Sequence, residues 1–574
     1  MLSHSFLKRF YSSSKVSLAR ILATDKVDPL CINIFKTRGH EVDLLPTMNE
    51  NELLKVIGEY DGLVVRSATK VTPKILRAAK KMRIVGRAGV GVDNIDVNEA
   101  TKCGIMVMNT PDGNTVSTAQ LAISLLCNMA RKIPTANMSV KEGKWIPKNF
   151  QGYELQGKTI GIVGCGRIGQ VVGKLSRTLG MNVVGYDPIS DEETLAELGI
   201  KKLSLENVLK TSDFITVHTP LTAETKNLLN DTTLALCKKG VGIINCARGG
   251  IIDEDALLRG LNSGHISTAA LDVYTTEPPK ENLTELLRHP NLVCTPHLGA
   301  STEEAQVNVA KDIAQQICDL FDQKEFVGIV NVPYISLSTL PQMKPFMSLA
   351  ETLGSIVSQI SEKQVKKIVL LTWGGKDISI TSKNARLLIE SKCLQGILKY
   401  KLNSDNNTNN NNEVEPDLIS SPIIAKEKNI QSVISEDVPQ IVSSGNYRNL
   451  IKLKVVWEDD TMNTITGSVF GNTPHIVGID QVYDNFAFKP EGSYLLTFKN
   501  EDKPGAVLKV LDLLHAGNVN IANLNVVRAR QTETQEREHH AVTLMSLDND
   551  IPSKIMNQIK TLSNLEDVAK IRLV

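Results

Sequence analysis

The chain has 574 residues, of which 42% are hydrophobic and 22% charged, and its formal net charge is +1. A chain of this length predicts roughly three to four domains, and a near-neutral charge with no apolar run of ~18 residues excludes nucleic acid and a membrane as expected partners. The nine cysteines form no C-x-x-C pair, which predicts reduced thiols and no metal site.

The first twenty residues differ from the rest of the chain. The segment MLSHSFLKRFYSSSKVSLAR is rich in serine and contains basic residues but no acid. This composition is typical of a mitochondrial presequence and predicts a targeting segment at residues 1–20 and a location in the mitochondrial matrix. A frayed basic terminus of a cytosolic protein is the alternative.

A dinucleotide-binding pattern follows in the middle of the chain. The apolar run Ile160–Val163 predicts a strand, and Gly164, Gly166 and Gly169 follow it at the spacing G-x-G-x-x-G. A helical apolar stripe comes next, and then a second strand that ends in Asp187, about 20 residues after the glycines. The glycines let the backbone approach a pyrophosphate at a helix N-terminus, and Asp187 is expected to bond the ribose hydroxyls. The pattern therefore favours NAD over NADP.

Later apolar runs each end in small or polar residues. These runs lie within residues 213–225, 240–253, 269–279 and 292–301. In a parallel sheet such ends line one crevice, which places Arg248, Asp272, Glu277 and His297 close together. Arg248 is suited to hold a substrate carboxylate, His297 to accept a hydroxyl proton, and Glu277 to fix the tautomer of the imidazole ring. Together with the dinucleotide pattern, these residues predict hydride transfer.

The same stretches resemble a known family. CARGG (246–250), LDVYTTEPP (271–279) and PHLGAST (296–302) are similar to motifs of the D-isomer-specific 2-hydroxyacid dehydrogenases. VVRSATKVT (64–72), GRAGVGVDNID (86–96) and NTPDGNTVSTAQL (109–121) resemble the branch of that family that oxidises 3-phospho-D-glycerate. The resemblance implies an NAD-dependent enzyme that forms 3-phosphohydroxypyruvate in the first step of L-serine biosynthesis, and a homotetramer.

The resemblance also implies roles for individual residues. Arg248, Glu277 and His297 are expected to be catalytic. The residues expected to contact NAD are Gly164, Gly166, Arg167, Ile168, Gly169, Asp187, Thr219, Cys246, Ala247, Arg248, Asp272, His297, Leu298, Gly299 and Ala300. On the substrate side, Arg66 and Arg87 each end an apolar run and suit a phosphate dianion, and Asn114 is implied by the resemblance alone. The family usually has a basic residue directly after the tryptophan at Trp145, whereas Ile146 and Pro147 precede Lys148 here, which leaves a third phosphate contact in question.

The expected architecture has four folded parts. An α/β core contains a Rossmann-type, doubly wound cofactor domain (116–304) inserted in a flavodoxin-like substrate domain (21–115 and 305–330). Prolines in 332–345 predict a linker. An α+β intervening domain (346–486) follows, with an Asn-rich insertion at 403–413 that is unable to form a core.

The last part, 493–574, has the pattern βαββαβ with a turn at Pro504 and Gly505. It resembles the ACT domain, a module that binds amino acids at dimer interfaces. Asp502 and Asn520 match its ligand positions, so L-serine is an expected effector. A ferredoxin-like dimerisation module without a ligand is the alternative.

Alternatives remain open for the function of the whole chain. One is another D-2-hydroxyacid dehydrogenase, such as a hydroxypyruvate, glyoxylate or 2-oxoglutarate reductase, although Arg66 and Arg87 argue against an unphosphorylated substrate. The other is an NAD(H)-sensing scaffold similar to the co-repressors that share this core. The catalytic residues and the ACT-like module favour the enzyme.

Overall fold

The computed structural model describes residues 18–322, 328–332, 339–374, 379–404, 416–435, 447–480, 482–529 and 540–573. Residues 1–17 of the presequence-like segment and 405–413 of the Asn-rich insertion lie outside these ranges, so the predictions made for them stay predictions. Over the ranges described, no helix combines the length and the apolar character needed to cross a membrane. Among the same residues, no group of three or more His, Cys, Asp or Glu side chains is placed to hold a metal ion.

The first sheet is formed by short parallel strands near the start of the chain. They are β1 (Arg20–Ala23), β2 (Glu41–Leu44), β3 (Gly62–Val65), β4 (Ile84–Arg87) and β5 (Met106–Asn109). The connecting helices are α1 (Pro29–Thr37), α2 (Glu50–Val56), α3 (Pro73–Ala78) and α4 (Val97–Lys102). The strand order is β2-β1-β3-β4-β5, the order of flavodoxin-like folds. Every residue of β3 is buried, as expected for a parallel sheet with both faces covered.

The second sheet follows two helices, α5 (Thr115–Arg131) and α6 (Ile133–Lys141). Its parallel strands are β6 (Thr159–Val163), β7 (Asn182–Tyr186), β8 (Lys201–Lys202), β9 (Phe214–Val217), β10 (Val241–Asn245), β11 (Ile266–Leu271) and β12 (Leu292–Cys294). The helices among them are α7 (Arg167–Thr178), α8 (Glu192–Glu197), α9 (Leu205–Thr211), α10 (Asp231–Leu234), α11 (Glu254–Asn262) and α12 (Thr284–Leu287). The order β12-β11-β10-β9-β6-β7-β8 reverses between β6 and β9, and ligands of doubly wound sheets bind beyond the strand ends at such a reversal.

A long helix, α13 (Glu303–Phe321), carries the chain back onto the first sheet. Val309, Ile313 and Ile317 lie at helical spacing and are buried in the same apolar cluster as side chains of that sheet. Gly86 in β4 permits this close contact, because a Cβ atom there would lie 2.6 Å from Ile317 Cδ1. The second sheet is thus inserted into the first unit, and the predicted α/β fold class is confirmed.

The third sheet is mixed and packs against two long helices. The helices of this part are α14 (Leu340–Ile360), α15 (Lys383–Ser404) and α16 (Ser421–Glu427). The strands are β13 (Val365–Gly374), β14 (Gln431–Ser435), β15 (Asn449–Trp457), β16 (Met462–Phe470), β17 (Thr473–Ile479) and β18 (Tyr483–Phe488). Their order is β14-β13-β15-β16-β17-β18. Strands β13 and β14 are parallel, and the other neighbours are antiparallel.

The predicted linker at 332–345 is wrong in part, because α14 begins inside it. Pro341 lies in the first turn, where a backbone N–H would have no partner in the helix. Pro345 lies further inside and costs about 3 kcal/mol. Met343, Phe346 and Met347 are buried on the same helix, and each contributes about 1.5–3 kcal/mol. Apolar burial therefore outweighs the interrupted backbone pattern.

The last sheet contains the predicted βαββαβ succession. Its elements are β19 (Tyr494–Glu501), α17 (Leu508–Ala516), β20 (Ile521–Arg528), β21 (His540–Leu547), α18 (Ser553–Lys560) and β22 (Leu565–Arg572). The strand order is β20-β21-β19-β22, with every neighbouring pair antiparallel. Gly505 has a φ of 83°, as the predicted turn requires. At the end of α14, Gln359 accepts a hydrogen bond from the Arg572 N–H at 2.8 Å, which joins this sheet to the preceding part.

Candidate active site

The carboxyl ends of β9, β10, β11 and β12 lie side by side at one edge of the second sheet. Directly after these strands come the predicted site residues of the cofactor half, from Thr219 to Ala300. Parallel pairing brings them together although the chain separates them by long crossovers. The order of strands thus produces the crevice that the sequence predicted.

His297 and Glu277 form a close pair in this crevice. The Nδ1 atom of His297 lies 2.6 Å from Glu277 Oε2, and the side chains are 43% and 36% exposed. Burial opposes the ionisation of Glu277, but the hydrogen bond and charge of His297 outweigh it and hold the pKa of Glu277 below its usual range. An ionised carboxylate only accepts hydrogen bonds. The proton of a neutral His297 is therefore on Nδ1, and Nε2 is left to accept a proton.

Asp272 fixes the loop that carries His297. Its carboxylate is buried and accepts the Thr295 hydroxyl at 2.6 Å, the Leu298 N–H at 2.7 Å and the Gly299 N–H at 2.9 Å. The Asp272 carbonyl accepts the His297 N–H at 2.9 Å. Burial raises the pKa of Asp272 in spite of these bonds. The sequence did not predict this role of the Asp272 carboxylate in the loop, and the expected contact of Asp272 with NAD stays a prediction.

The backbone of His297 itself is unusual. Its φ is 55°, in the left-handed region that residues with a Cβ atom rarely adopt. Such conformations persist where surrounding contacts determine them, and they concentrate at functional sites. Here the bonds from Asp272 on both sides of the residue provide that constraint. The imidazole is thus directed by the backbone as well as by Glu277.

Arginines from both units meet on the other side of the crevice. Arg248 donates from Nε to Asp93 Oδ2 at 2.8 Å and from Nη1 to the Ala247 carbonyl at 2.7 Å. Arg87 donates to the Gly91 carbonyl. Burial, with the nearby charges of Arg248 and Arg66, lowers the pKa of Arg87 to about 10. Arg66, Arg87 and Arg248 thus lie close enough for their charges to interact, and guanidinium groups gathered in this way are suited to an anionic ligand.

Several polar atoms near the crevice are buried without a hydrogen-bond partner in the part of the chain that the structure describes. They include Asn114 Oδ1, Thr115 Oγ1 and Thr219 Oγ1. Asn114 occupies the N-cap of α5 but makes no capping bond. Buried polar groups are normally paired, because an unpaired one costs about 1–3 kcal/mol. Asn114 and Thr219 are residues for which a substrate or NAD contact was predicted, and each has an oxygen that is free to form a further hydrogen bond.

The glycine loop has the geometry of a dinucleotide site. Gly164 has a φ of 95°, and a Cβ atom there would lie 2.7 Å from the His218 carbonyl oxygen. A Cβ atom added to Gly166 would have no described atom within 4 Å, so the backbone at Gly166 is open to a ligand. At Gly169 a Cβ atom would lie 2.1 Å from the Gly164 carbonyl oxygen, so only glycine allows α7 to pack on β6. These contacts fit the separate roles predicted for the glycines.

Asp187 lies at the end of β7 and is fixed by the backbone. It accepts the N–H groups of Cys165 and Ile189 at 2.8 Å and of Ser190 at 2.9 Å. Burial raises its pKa, but these bonds outweigh that effect and leave the pKa below its usual range. A carboxylate has about four acceptor sites. The Ser190 side chain is a further partner of the ionised group, so a ribose hydroxyl would share an acceptor site with it.

The remaining predicted cofactor contacts differ in exposure. Arg167 is exposed and forms an ion pair at 2.7 Å with Asp112, a residue of the first unit that the sequence did not single out. Ile168 is partly buried against the apolar cluster of α5 and α7. Cys246 and Ala247 are buried in apolar clusters of the second unit, whereas Leu298 is 39% exposed. Lys148 has an exposed side chain in a short 3-10 turn (Pro147–Phe150).

The predicted effector residues are not brought together within one chain. Asp502 forms an ion pair with Arg528 at 2.7 Å, and the amide of Asn520 donates to Asp548 Oδ2 at 2.5 Å. Strands β19 and β20 are both antiparallel to β21 and hence run in the same direction. Asp502 follows β19 while Asn520 precedes β20, so the two residues lie at opposite ends of the sheet. The two residues therefore do not share a site within a single chain, and the prediction that they bind an amino acid at a dimer interface stays a prediction.

Comparison with known proteins defines the class first. The family model for the D-isomer specific 2-hydroxyacid dehydrogenase, NAD binding domain, matches residues 123–299, and the model for the D-3-phosphoglycerate dehydrogenase intervening domain matches residues 342–480. A crystal structure of a glyoxylate reductase from Paecilomyes thermophila is 28% identical, with a TM-score of 0.51, and covers 55% of this chain and 98% of its own. A Thermus thermophilus protein is 33% identical with a TM-score of 0.50 over 54% of this chain and 99% of its own.

Curated relatives then define the family. A D-3-phosphoglycerate dehydrogenase of Methanocaldococcus jannaschii is 39% identical over 97% of this chain and 100% of its own length. The Rattus norvegicus enzyme of the same name is 38% identical over 93% and 97%, and that of Bacillus subtilis is 39% identical over 90% and 92%. This chain belongs to the D-3-phosphoglycerate dehydrogenase family. The resemblance found in the sequence motifs and the prediction of NAD as cofactor are confirmed.

Proposed function

We propose that this chain oxidises 3-phospho-D-glycerate to 3-phosphohydroxypyruvate with NAD, the first step of L-serine biosynthesis. The observation that carries the proposal is the His297–Glu277 pair at 2.6 Å in a crevice shared with Arg66, Arg87 and Arg248. The substrate has a carboxylate and a phosphate whose own charge is about −1.5 to −2 at neutral pH. The arginine cluster supplies matching positive charge, and full-length relatives bear the name of this enzyme.

The cofactor fits residues of the second unit. The open backbone at Gly166 and the N-terminus of α7 suit a pyrophosphate, and ionised Asp187 suits the ribose. A 2′-phosphate next to that carboxylate would be repelled, so NAD is preferred over NADP. When bound, NAD supplies the acceptor for the hydride that leaves the substrate carbon.

The residues of the chain perform the rest of the reaction. Arg248 binds the substrate carboxylate through its free N–H groups, while Arg66 and Arg87 bind the phosphate. His297 takes the proton of the C2 hydroxyl on Nε2, which is free because Nδ1 faces Glu277. Glu277 stabilises the imidazolium that forms, without taking the proton itself. The products are the 2-oxo acid, NADH and a proton that His297 releases to water.

The test uses purified full-length protein and follows NADH formation. We expect turnover with 3-phospho-D-glycerate and a much lower kcat/KM with D-glycerate, D-lactate or glycolate. Replacing His297 with Asn is expected to lower kcat by about 10²–10⁴ while NAD binding is retained. Equal efficiency on an unphosphorylated acid would favour the alternative dehydrogenase. NAD(H) binding without turnover would favour the scaffold.

The proposal includes a homotetramer, as the resemblance implies. An apolar surface supports self-association. Exposed hydrophobic side chains occur on α5, α6 and the segment after them, namely Val116, Ile133, Met138, Val140 and Trp145. Trp145 is 82% exposed, and tryptophan and methionine are enriched at protein interfaces. We expect Trp145→Asp and Met138→Asp together to yield a smaller species in light scattering, whereas an unchanged mass would place the interface elsewhere.

The proposal also assigns L-serine as an effector of the C-terminal sheet, which resembles an ACT domain. Because Asp502 and Asn520 lie at opposite ends of one sheet, a site containing both requires a second copy related by a two-fold axis. Calorimetric titration of serine into the full chain is the test. We expect Asp502→Ala and Asn520→Ala each to abolish binding. Asp550→Asn, which removes the Asp550–Lys570 pair of the same sheet, is the control and should retain binding. Unchanged binding in both alanine variants would contradict the assignment.

Import into the mitochondrial matrix through residues 1–20 is the proposed location, with the cytosol as the alternative. The serine-rich basic composition of this segment supports import. Fractionation of cells with N-terminal sequencing of the mature chain tests it. A shortened protein in the matrix is expected, and full-length cytosolic protein would contradict it.

A further inference from the structure

Asp93 reaches Arg248 from the opposite side of the crevice. Asp93 lies in the loop between β4 and α4 of the first unit, whereas Arg248 follows β10 of the second. The Nε–Oδ2 distance is 2.8 Å. Arg248 also donates from Nη1 to the Ala247 carbonyl at 2.7 Å, and its Nη2 atom lies against Gly91, where a Cβ atom would lie 1.7 Å from it. The guanidinium is therefore held at several positions of its planar fork.

The loop that carries Asp93 is itself fixed next to the other arginines. The Asn94 amide donates to the carbonyls of Arg66 and Thr69, both at 2.7 Å. Arg87 donates to the Gly91 carbonyl on the other side of Asp93. Asp93 is thus placed by contacts to the backbone segments that carry the phosphate-binding arginines. Its position relative to Arg66 and Arg87 is set independently of Arg248.

Stability does not account for this ion pair. The Asp93 side chain is 59% exposed and that of Arg248 is 26% exposed. Ion pairs at such exposure contribute about 0–1 kcal/mol to folding. An arginine side chain has about 2 kcal/mol of rotamer entropy, and a fork that is already oriented loses less of it when it binds a carboxylate. The pair is better suited to orienting Arg248 than to holding the fold together.

We propose that Asp93 is a positioning residue, which holds Arg248 from across the crevice so that its free N–H groups meet the substrate carboxylate. This inference rests on the proposed dehydrogenase function of the crevice. Asp93 contacts Arg248 and does not need to touch the reacting atoms. It also links the units, because the bond from Arg248 Nε to a carboxylate forms only when the loop of the first unit lies against the second.

A carboxylate in this place also has a second effect on substrate binding, and this effect changes KM in the opposite direction. The two effects can therefore be told apart by experiment. As a negative charge close to an anionic substrate, Asp93 weakens substrate binding by repulsion. If repulsion were its only effect, removal of the charge would lower KM. If Asp93 positions Arg248, removal of the acceptor raises KM. The direction of the change therefore separates the two roles.

The experiment compares Asp93→Ala and Asp93→Asn in the full-length enzyme. We expect Asp93→Ala to raise KM for 3-phospho-D-glycerate about tenfold, because the ordering of the arginine then accompanies binding. Asp93→Asn keeps an acceptor for Nε, so its KM is expected to rise less than threefold. The KM for D-glycerate should rise by the same factor as that for the phosphorylated substrate, because both carry the carboxylate. Asp96→Asn is the matched control, since Asp96 lies on the same loop but caps α4 by accepting the Glu99 N–H.

A double-mutant cycle with Arg248→Lys completes the test. A lysine has no planar fork to orient, so Asp93→Ala should change kcat/KM less than twofold in that background. A lowered KM in both Asp93 variants, or a tenfold loss that persists in the Arg248→Lys background, would overturn the inference. So would a loss confined to the phosphorylated substrate, which would mean that Asp93 acts through Arg66 and Arg87. Absence of turnover in the wild-type enzyme would instead refute the proposed function itself.

Discussion

Replacement of Glu277 by Gln is expected to disable His297 without disturbing the crevice. Glu277 accepts from the ring on Oε2 at 2.6 Å and from the Tyr274 N–H on Oε1 at 3.1 Å. A glutamine has a single acceptor oxygen for these donors. If the oxygen faces Tyr274, the amide N–H₂ faces Nδ1 and the ring proton moves to Nε2. If the oxygen faces His297, the N–H₂ of the new amide and the N–H of Tyr274 oppose each other as two donors.

The size of the effect follows from these arrangements. Loss of a charge-assisted hydrogen bond costs about 1.5–3 kcal/mol, or roughly 10- to 150-fold. The wrong tautomer prevents Nε2 from accepting a proton. In a similar carboxylate–imidazole pair this effect lowers kcat by up to about 10⁴-fold. Both side chains are partly exposed, which moderates the loss. We therefore expect kcat of Glu277→Gln to fall by about 10²–10³.

The assay is steady-state NADH formation over a range of pH, with NADH binding measured by fluorescence. The pKa of Glu277 lies below its usual value of ~4.3, so its effect on His297 is complete above that value and disappears as the pH falls through the lowered pKa. The pH profile of wild-type kcat should therefore show no decrease caused by protonation of Glu277 at mildly acidic pH. Glu254→Gln is the control, because Glu254 accepts the Thr275 N–H of the same loop at 2.7 Å. A kcat within fivefold of wild type for Glu277→Gln, with unchanged NADH affinity, would refute the reasoning.

Further predictions concern the other fixed groups of the crevice. Asp187→Ser should reduce the preference for NAD over NADP at least tenfold in kcat/KM ratios, and an unchanged ratio would assign selectivity to another group. Arg66→Ala and Arg87→Ala should each raise KM for 3-phospho-D-glycerate by about 10- to 150-fold but that for D-glycerate far less; equal changes would place them away from the phosphate. Asp272→Asn should lower both kcat and the melting temperature, because one carboxylate oxygen that now accepts a loop N–H becomes a donor. A kcat and a melting temperature equal to those of the wild type would show that Asp272 does not hold the loop.

Much of the catalytic half could be predicted from the order of motifs. The spacing of Gly164, Gly166 and Gly169 after an apolar run corresponds to a local strand–turn–helix, and local patterns determine such a unit. The convergence of Glu277 and His297 follows from parallel topology, in which strand ends share one edge. In each case a rule about local structure or sheet geometry sufficed. The sequence could therefore predict which side chains meet at the carboxyl ends of strands in one sheet.

Contacts between units could not be predicted in this way. Asp93 and Arg248 are 155 positions apart, and their hydrogen bond depends on how the two sheets face each other. Nothing in the GVGVDNID stretch shows which side chain points across the crevice. The separation of Asp502 and Asn520, in contrast, could have been deduced. In the sheet order of a βαββαβ fold the first two strands run in parallel, so residues after one and before the other lie at opposite ends.

Each catalytic group is thus fixed by its own carboxylate, and the two carboxylates belong to different units. His297 and Glu277 both lie in the second unit, so the proton acceptor is prepared whether or not the units approach. Arg248 has a bond to the Ala247 carbonyl of its own unit, but the carboxylate that holds its Nε atom is Asp93 of the first unit. Among the residues that the structure describes, the two pairs share no hydrogen-bond partner. The charge of Arg248 lowers the pKa of Glu277, but it is the weakest of the causes of that shift, and free energies of sites without a shared partner add within about 0.5 kcal/mol. The Asp93→Ala/Glu277→Gln double variant should therefore lose kcat/KM by the product of the single losses, within about threefold. Steady-state kinetics of the four enzymes decide the point: a double loss close to the larger single loss would mean that both carboxylates act on one shared geometry.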